Sequence, residues 1–495
     1  MSIILILIPL LAAFAILAGL GKAKSIATIA ATANLVLGLG TVFCWKASIW
    51  DLSWEVLSKP SIHLSLGFYD GMSLVMVILS VLVLFTAVMS GKCPEGREKL
   101  WFSSILFIGA GGLGAFLSTD LFFFYAFHEL ALIPTFLMIG ILGSGDRKNA
   151  AWKITIYLAL GSIILLAGLI WLVSASGSDT WLFDDLLASS ISTDAQSGIA
   201  ALLIVGFGVL ISLFPFHSWA APAYASAPAP VAMIHAGVLK KFGLYGLIRL
   251  YPIVSTGMQD WLVCLIVLLL CNILWVGFVT INQKRLDMIL GNSSVMHMGY
   301  IFLAFAALIE AGSFEANPLA KPAAVVLMFA HGISIALLFM LTDTIRRKTG
   351  TVELAELGGL AKAAPRLAFL FGLAGMASIG LPGLANFSGE VLVFLSGFNN
   401  YDGGCLGYVQ TATILALWGV VISAVYMLRA YRQTFQGPPV SHTSSESVRD
   451  FGPFCQIPAG ILAISLLIVG LYPNSLLQFL DEPEAASSET EQASK

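Results

Sequence analysis

The sequence predicts an all-α polytopic membrane protein with about 14 transmembrane helices. Hydrophobic residues make up 58% of the 495-residue chain and charged residues only 11%, whereas charged residues usually account for about a quarter of a soluble domain. The apolar residues also occur in runs of roughly 20, the length that a helix needs to cross the hydrocarbon core of a bilayer. These two observations exclude a soluble globular protein.

The apolar runs give the spans in chain order. The first lacks a basic segment and a clear cleavage site, which favours a retained helix over a signal peptide. Residues 1–475 therefore form a single transmembrane domain, and the acidic, Ala/Ser/Glu-rich segment 476–495 is predicted to be a disordered tail. The predicted spans are 2–20, 26–45, 69–91, 101–118, 121–142, 151–174, 197–215, 229–250, 261–281, 288–312, 322–345, 365–395, 409–432 and 454–475.

The distribution of basic residues predicts the orientation of these helices. With both termini outside, nearly all loop Lys and Arg residues lie on the inner side, and the outer side keeps only Lys46, Lys59, Lys321 and Lys495. An excess of Lys and Arg marks the cytoplasmic side of a membrane protein. We therefore expect a multi-pass protein of the bacterial plasma membrane with its N- and C-termini on the outer side.

Sequence motifs give no sign of a cofactor in this chain. The six cysteines are scattered without a CxxC spacing, which argues against iron–sulfur or zinc ligation. No Gly-rich phosphate loop is present, and no soluble domain follows the spans. We expect no metal, no redox centre and no nucleic-acid partner.

Three stretches interrupt predicted spans with proline or glycine. The first runs from Leu213 to Pro230, the second from Gly380 to Glu390, and the third and mildest is Ile133-Pro134. Opened backbone at membrane depth persists only where it is buried in protein or lines a wet cavity, and transporters place ion sites there. Prolines also simply kink packing helices. For 380–390, where glycines, a proline and an asparagine precede a glutamate, a functional site is the better interpretation.

Ionisable residues within the spans are the strongest functional signal. Glu129 lies in a run of aromatic and aliphatic residues, Lys241 lies near the middle of its span, and Glu390 follows the second break. Charged groups at such depth are costly and usually mark ion pathways. Structural ion pairs are the alternative interpretation.

Histidines and a second lysine extend this set. His297 and His331 are neutral groups that can relay protons, although a histidine in a span is often only a helix–helix hydrogen bonder. His128, His235 and Lys240 are weaker candidates. Lys240 and Lys241 are adjacent and project about 100° apart on a helix, so one should face the pathway while the other snorkels or finds a partner.

Several motifs together resemble a known family over nearly the whole chain. The chain resembles the antiporter-like subunit M of bacterial NADH:quinone oxidoreductase (complex I), which has relatives in Mrp cation/proton antiporters and membrane-bound hydrogenases. The motifs identify the superfamily more strongly than one complex. They are Phe122-Phe-Phe-Tyr-Ala-Phe-His-Glu129, Pro215-Phe-His-Ser-Trp219, Ala236-Gly-Val-Leu-Lys-Lys-Phe-Gly-Leu-Tyr-Gly246, Ser293-Ser-Val-Met-His-Met-Gly-Tyr300, His331-Gly-Ile-Ser334 and Phe387-Ser-Gly-Glu390.

The resemblance implies an arrangement and a set of roles. The family has fourteen helices with two inverted five-helix repeats, each containing a broken helix, which would correspond to residues 101–250 and 261–432. Buried Glu, Lys and His residues of the family carry protons, and the matching positions here are Glu129, Lys241, His297, His331 and Glu390. FMN, iron–sulfur clusters, NADH and quinone would belong to partner subunits, and this chain would contact other membrane-arm subunits and lipid.

The chain departs from the family pattern in its N-terminal half. The family carries a lysine nine residues before the tryptophan that matches Trp219, and that position is Leu210. The usual partner of Glu129 is therefore missing, and we hypothesise that His128 compensates. The resemblance favours a proton-translocating subunit of a redox-driven translocase. An Mrp-type cation/proton antiporter subunit, a hydrogenase subunit and a mainly structural subunit remain alternatives.

Overall fold

The computed structural model describes residues 2–438, 450 and 452–480, which form a bundle of apolar helices. One β-hairpin interrupts the helices. The helices are α1 (Ser2–Ala18), α2 (Ala23–Gly40), α3 (Gly71–Met89), α4 (Glu98–Leu117), α5 (Leu121–Leu130), α6 (Leu132–Leu142), α7 (Arg147–Ser176), α8 (Phe183–Leu187), α9 (Thr193–Ile211), α10 (Ala220–Ser226), α11 (Ala229–Ile234), α12 (Lys241–Leu250), α13 (Ser255–Asp260), α14 (Leu262–Leu270), α15 (Val276–Ile281), α16 (Leu286–Ala311), α17 (Ala320–Thr349), α18 (Leu360–Ala363), α19 (Pro365–Ile379), α20 (Ala385–Phe398), α21 (Tyr408–Phe435), α22 (Pro453–Leu471) and α23 (Asn474–Leu477).

The helices confirm the predicted fold class. Within the described residues, eleven helical stretches are long and apolar enough to cross a membrane, and four shorter apolar helices accompany them. Every predicted span contains at least one of these helices, and the span 365–395 contains two, α19 and α20. The division into two five-helix repeats stays a prediction.

The centre of the bundle is built from helices that are buried on all sides. Helices α3, α16 and α17 are buried along most of their length, whereas α7 and α21 bury only one face. A helix whose surface is mostly apolar all round suits such a buried position. The polar residues of α16 and α17 are therefore shielded from lipid by other helices.

Two aspartates fix the beginnings of helices at one end of the bundle. Asp70 precedes α3 and accepts a hydrogen bond from the backbone N–H of Ser73 at 3.0 Å. Asp120 precedes α5 and accepts from the N–H of Phe123 at 3.0 Å. Each side chain satisfies a backbone donor that the first helical turn leaves open.

A β-hairpin, which the sequence analysis did not predict, lies between α2 and α3. Strands β1 (Leu52–Ser58) and β2 (Ser61–Leu66) pair antiparallel, and β2 also contacts the loop after α7, because the N–H of Ser61 donates to the carbonyl of Asp179 at 3.0 Å. The predicted outer loops 46–68 and 175–196 thus lie on the same face, which we call the hairpin face.

The opposite face, which we call the basic face, gathers loops rich in Lys and Arg. Residue Arg285 pairs with Glu353 through an isolated β-bridge, and Arg346 Nη1 donates to Ser144 Oγ at 3.1 Å. These contacts join the loops before α7 and α16 and after α17. Sidedness across the membrane stays a prediction.

All three predicted interruptions are present. Helices α5 and α6 are separated at Ala131, α9 ends before Ser212, whose φ is 68°, and α19 ends before Gly380, whose φ is 82°. The chain resumes as α10 at Ala220 and as α20 at Ala385. Two of the three breaks therefore contain a full turn or more of non-helical backbone.

The predicted disordered tail begins too early. Residues 476–480 belong to α23 and the turn after it, and the backbone oxygen of Phe479 approaches Gly71 so closely that a Cβ there would lie 1.7 Å from it. Packing against the start of α3 orders this segment. The remainder of the predicted tail, 481–495, lies outside the described residues.

Candidate functional site

A series of buried polar side chains crosses the middle of the bundle. Lys240 Nζ donates to Ser294 Oγ at 3.4 Å, and Ser294 Oγ lies 3.2 Å from His331 Nε2. The rings of His331 and His297 stack with centroids 5.1 Å apart and an interplanar angle of 19°. Three predicted site residues, from α16, α17 and the start of α12, therefore lie together.

This series of side chains ends at Glu390, which lies in the second turn of α20, just after the break that follows α19. Its Oε1 lies 3.9 Å from Nε2 of His297, and both side chains are buried. Gly380 makes room for the carboxylate, because a Cβ at this glycine would lie 2.1 Å from Oε2 of Glu390. The second break is thus followed by an acidic group that lies beside the histidine pair.

The two lysines are both buried, and neither snorkels. Lys241 Nζ donates to the carbonyl of Ala236 at 2.7 Å, whereas Lys240 points to Ser294. The preceding segment, His235–Leu239, is a π-helix, and such segments are frequent at functional sites. Among the described hydrogen bonds, those of Lys240 and not those of Lys241 lead to the histidines, so the weaker sequence candidate has the direct connection.

His235 lies beside this series of polar side chains and is not a member of it. Its Nδ1 is 3.2 Å from the hydroxyl of Tyr224, and its ring packs edge-on against Trp219. The ring of Tyr224 lies 5.7 Å from Lys240 Nζ. Tyr224 is a residue that the sequence analysis did not single out, and it joins His235 to the lysine.

Glu129 has a separate environment in the N-terminal half. Ser162 of α7 donates to its Oε1, and His128 Nδ1 lies 3.5 Å from the same oxygen. The ring of His128 also stacks on Phe242, with centroids 4.1 Å apart. The hypothesised contact with His128 is thus present but long, and Ser162 is the nearer partner. Sequence spacing could not have found Ser162, because it lies 33 residues away on another helix.

Leu210 is buried near the end of α9, at the position where the family pattern has lysine. The backbone of the break just after it is hydrogen-bonded by the side chain of Asn272. This side chain accepts from the N–H of Phe214 at 2.6 Å and donates to the carbonyl of Ser212 at 3.3 Å. Opened backbone inside a membrane requires such partners. Asn272 lies in a second π-helix, Cys271–Trp275.

A second polar cluster lies at the hairpin face, above α12. Asp70 pairs with Arg249 at 2.9 Å and with Lys321 at 3.0 Å. Burial raises the pKa of the Asp70 carboxyl, but the charges of Arg249 and Lys321 outweigh it, so this pKa is lowered overall. Asp70 and Lys321 line a cavity of about 700 Å³. The cluster joins the ends of α3, α12 and α17 that lie at the hairpin face.

A cavity of about 730 Å³ opens at the basic face, lined by residues such as Asp146, Lys153 and Arg285. Close by, Asp287 of α16 is buried between Arg285, at 2.8 Å, and Arg346. In the described part of the chain, no group of three or more His, Cys, Asp or Glu side chains could hold a metal ion.

Residues 118–416 match the family model described as NADH:quinone oxidoreductase/Mrp antiporter, TM. This match covers more than half of the chain and contains all of the candidate site residues. The chain belongs to this family.

Curated relatives of this NADH:quinone oxidoreductase/Mrp family cover nearly the whole chain. NAD(P)H-quinone oxidoreductase chain 4 1 of Synechococcus sp. (strain JA-3-3Ab) is 33% identical over 487 residues, which are 96% of this chain and 90% of the relative. NADH-quinone oxidoreductase subunit M of Rickettsia felis is 31% identical over 423 residues, 85% of this chain and 82% of the relative.

A solved member of the family has the same fold. A chain of respiratory complex I from Thermus thermophilus with bound NADH superimposes with a TM-score of 0.87 at 25% sequence identity, covering 97% of both chains. The match over the full length means that the breaks and the central histidines are placed on a shared helical framework.

Proposed function

We propose that this chain is a proton-translocating membrane-arm subunit of an NADH:quinone oxidoreductase in the bacterial plasma membrane. The observation that carries the proposal is the buried series Lys240, Ser294, His331, His297 and Glu390, whose members lie within hydrogen-bond, stacking or ion-pair distance of the next. Ionisable groups inside a membrane are costly and persist where they serve a pathway.

Each member of this series has the chemistry that proton transfer needs. A neutral imidazole has one donor and one acceptor nitrogen, and a serine hydroxyl can do both. Lysine and glutamate at the two ends change charge when they gain or lose a proton. Redox reactions at FMN, iron–sulfur clusters and quinone in partner subunits would change the local charge, and the series would respond by electrostatic rearrangement without covalent catalysis.

The environment of Glu129 supports partner subunits in the membrane. Its side chain is 32% exposed at the surface of the bundle, and α5–α7 expose large apolar residues such as Ile133 and Ile163 around it. A carboxylate that faced lipid at this depth would be strongly disfavoured. A neighbouring subunit that covers this surface with a hydrogen-bond donor or cation would remove that cost. We therefore assign α5–α7 as a contact surface for another membrane-arm subunit.

The test is proton pumping by the purified complex in vesicles. Glu390→Gln and Lys240→Ala, which change the two ends of the series, should lower the number of protons moved per electron, while the complex still assembles. Glu315→Gln, a glutamate at an exposed loop outside the series, is the matched control and should pump normally. Unchanged proton flux in both site variants would overturn the assignment of these residues.

The family description also includes Mrp antiporters, so a cation/proton antiporter subunit is the second candidate function. The two differ in energy source and partners. If the chain belongs to an NADH:quinone oxidoreductase, flavin and iron–sulfur subunits should co-purify with the tagged chain. NADH oxidation should then acidify the lumen of vesicles that contain the complex. Co-purification of small antiporter subunits alone, with sodium-driven proton exchange, would instead establish the antiporter.

A further inference from the structure

His297 makes two short contacts that a neutral ring cannot satisfy together. Its Nδ1 lies 2.8 Å from the carbonyl oxygen of Ser293, and its Nε2 lies 2.8 Å from the carbonyl oxygen of Ser378. A carbonyl oxygen only accepts hydrogen bonds, and a neutral imidazole has a single N–H donor. A neutral ring would direct one nitrogen lone pair at a carbonyl oxygen. Only a ring protonated on both nitrogens donates to both carbonyls.

The hydroxyl of Ser293 does not remove this conflict. It lies 3.4 Å from Nδ1 of His297 and only 2.7 Å from the hydroxyl of Tyr426, so its closer partner is the tyrosine. If Ser293 donated to an unprotonated Nδ1, the carbonyl of the same residue would still face the lone pair at 2.8 Å. The double-donor state fits all of these distances.

The surroundings of His297 are suited to a positive charge. Glu390 Oε1 lies 3.9 Å from Nε2, and Ser378 is the penultimate residue of α19, which ends at Ile379. Carbonyl groups at the C-terminus of a helix lack helical partners and carry partial negative charge. A buried charge is tolerated when it has a counter-ion and hydrogen-bond acceptors. The break after α19 provides the acceptors and Glu390 provides the counter-ion.

The hydrogen-bond partners of the two rings suit a positive charge on His297 and a neutral ring at His331. His331 makes one hydrogen-bond contact, through Nε2 to Ser294 Oγ, which suits a neutral ring because the hydroxyl can donate or accept. Its buried Nδ1 has no hydrogen-bond partner among the residues that the structure describes. The stacked histidines are therefore unequal.

We propose that His297 is an imidazolium in the resting protein and that Glu390 is its carboxylate counter-ion, so that this pair stores a proton at the break between α19 and α20. The inference deepens the proposed function and rests on it. Transfer of the stored proton breaks the Nε2–H bond of His297 and forms an O–H bond on Glu390, which leaves two neutral groups. No other reactant is needed.

Infrared spectroscopy of the assembled complex tests this charge state, because a protonated carboxylic acid and a carboxylate absorb at different frequencies. The difference spectrum between the unmodified complex and Glu390→Gln should contain carboxylate bands and no acid band for Glu390. In His297→Gln the acid band should appear, since the carboxylate has lost its counter-ion. His331→Gln changes the other stacked ring and should leave Glu390 ionised.

An acid band that is present in the unmodified complex and lost in Glu390→Gln would overturn the inference. This comparison decides the question even where His297→Gln does not assemble. Proton pumping by the same samples separates the two proposals. If the unmodified complex shows carboxylate bands for Glu390 but Glu390→Gln pumps normally, the pathway role alone is refuted. If the unmodified complex shows the acid band and Glu390→Gln pumps poorly, the charge state alone is refuted.

Discussion

Lys240 Nζ donates a hydrogen bond to Ser294 Oγ at 3.4 Å, and this contact joins the beginning of α12 to the middle of α16. Ser294 continues the connection to His331 on α17 at 3.2 Å. The hydroxyl is the only group that the described hydrogen bonds place between this lysine and that histidine. The contact therefore turns two separate titratable groups into a single connected series.

Removing the Ser294 hydroxyl should interrupt this series. Ser294→Ala is expected to slow proton transfer by about 100-fold, the lower end of the range for loss of a positioned proton-transfer group. It also removes an acceptor of the buried Lys240 Nζ. Ser294→Thr keeps a hydroxyl at the same Cβ and is the matched control, with pumping close to that of the unmodified protein. Pumping per electron in vesicles is the measurement, and equal values in the alanine and threonine variants would contradict the relay.

Gly380 should be required for the placement of Glu390. Its φ of 82° is unfavourable for other residues, and a Cβ would lie 2.1 Å from Glu390 Oε2. Gly380→Ala is expected to combine a backbone strain of about 1–3 kcal/mol with displacement of the carboxylate, and so to impair pumping. Gly403 has a similar φ of 88° with open space around it. Gly403→Ala thus carries the strain alone, and an equal loss of pumping in both variants would exclude an effect through Glu390.

Much of this arrangement follows from local sequence. Runs of apolar residues place the spans, and Pro and Gly place the breaks at 212–219 and 380–384. The partners of the ionisable groups do not follow, because Ser162, Ser294 and Asn272 reach them from distant helices. The π-helix before Lys240 adds a residue to a turn, and this changes the direction of the side chains that regular helical spacing assumes. The hairpin was missed because its residues lie in the loop between two predicted spans, where the lengths of apolar runs carry no information.

Asp70 should be critical for stability at the hairpin face. It is the shared partner of Arg249, at 2.9 Å, and Lys321, at 3.0 Å. Asp70→Asn leaves the buried guanidinium of Arg249 without a counter-ion, and breaking a buried pair in this way typically costs about 3–5 kcal/mol. The unfolding temperature of the solubilised complex measures this loss. Asp184→Asn, which affects a hydrogen bond from Tyr69 at 2.8 Å, is the control and should change stability far less.

The contribution of Asp70 should not vary over the neutral pH range. Its folded-state pKa is lowered by Arg249 and Lys321 despite burial. A lowered pKa gives stability that is present above the ordinary value of about 4 and is lost only as the pH falls through the folded-state value. The difference in unfolding temperature between the unmodified protein and Asp70→Asn should therefore be constant from about pH 6 to 8. A difference that changes steeply in this interval would contradict a permanently ionised Asp70.

Asp120 should behave in the opposite way, because burial raises its pKa to about 6 although backbone hydrogen bonds from Phe123 and His63 oppose the shift. The folded protein then holds a proton that the unfolded chain releases near pH 4. The stability that protonated Asp120 contributes is complete below about pH 4, decreases as the pH rises, and is lost above about pH 6. A shift of this size corresponds to roughly 3 kcal/mol.

Asp120→Asn tests this, because an amide keeps the capping acceptor for Phe123 N–H and cannot titrate. Between pH 5 and 6.5, the unfolding temperature of the unmodified protein should fall relative to that of Asp120→Asn. Above pH 6.5 the two curves should run parallel, since Asp120 is then ionised in both the folded and the unfolded state. Other titrating groups are common to both proteins and cancel in the difference. A difference that is flat across the lower interval would mean that Asp120 keeps its ordinary pKa, and the helix cap would then carry a full negative charge at every physiological pH.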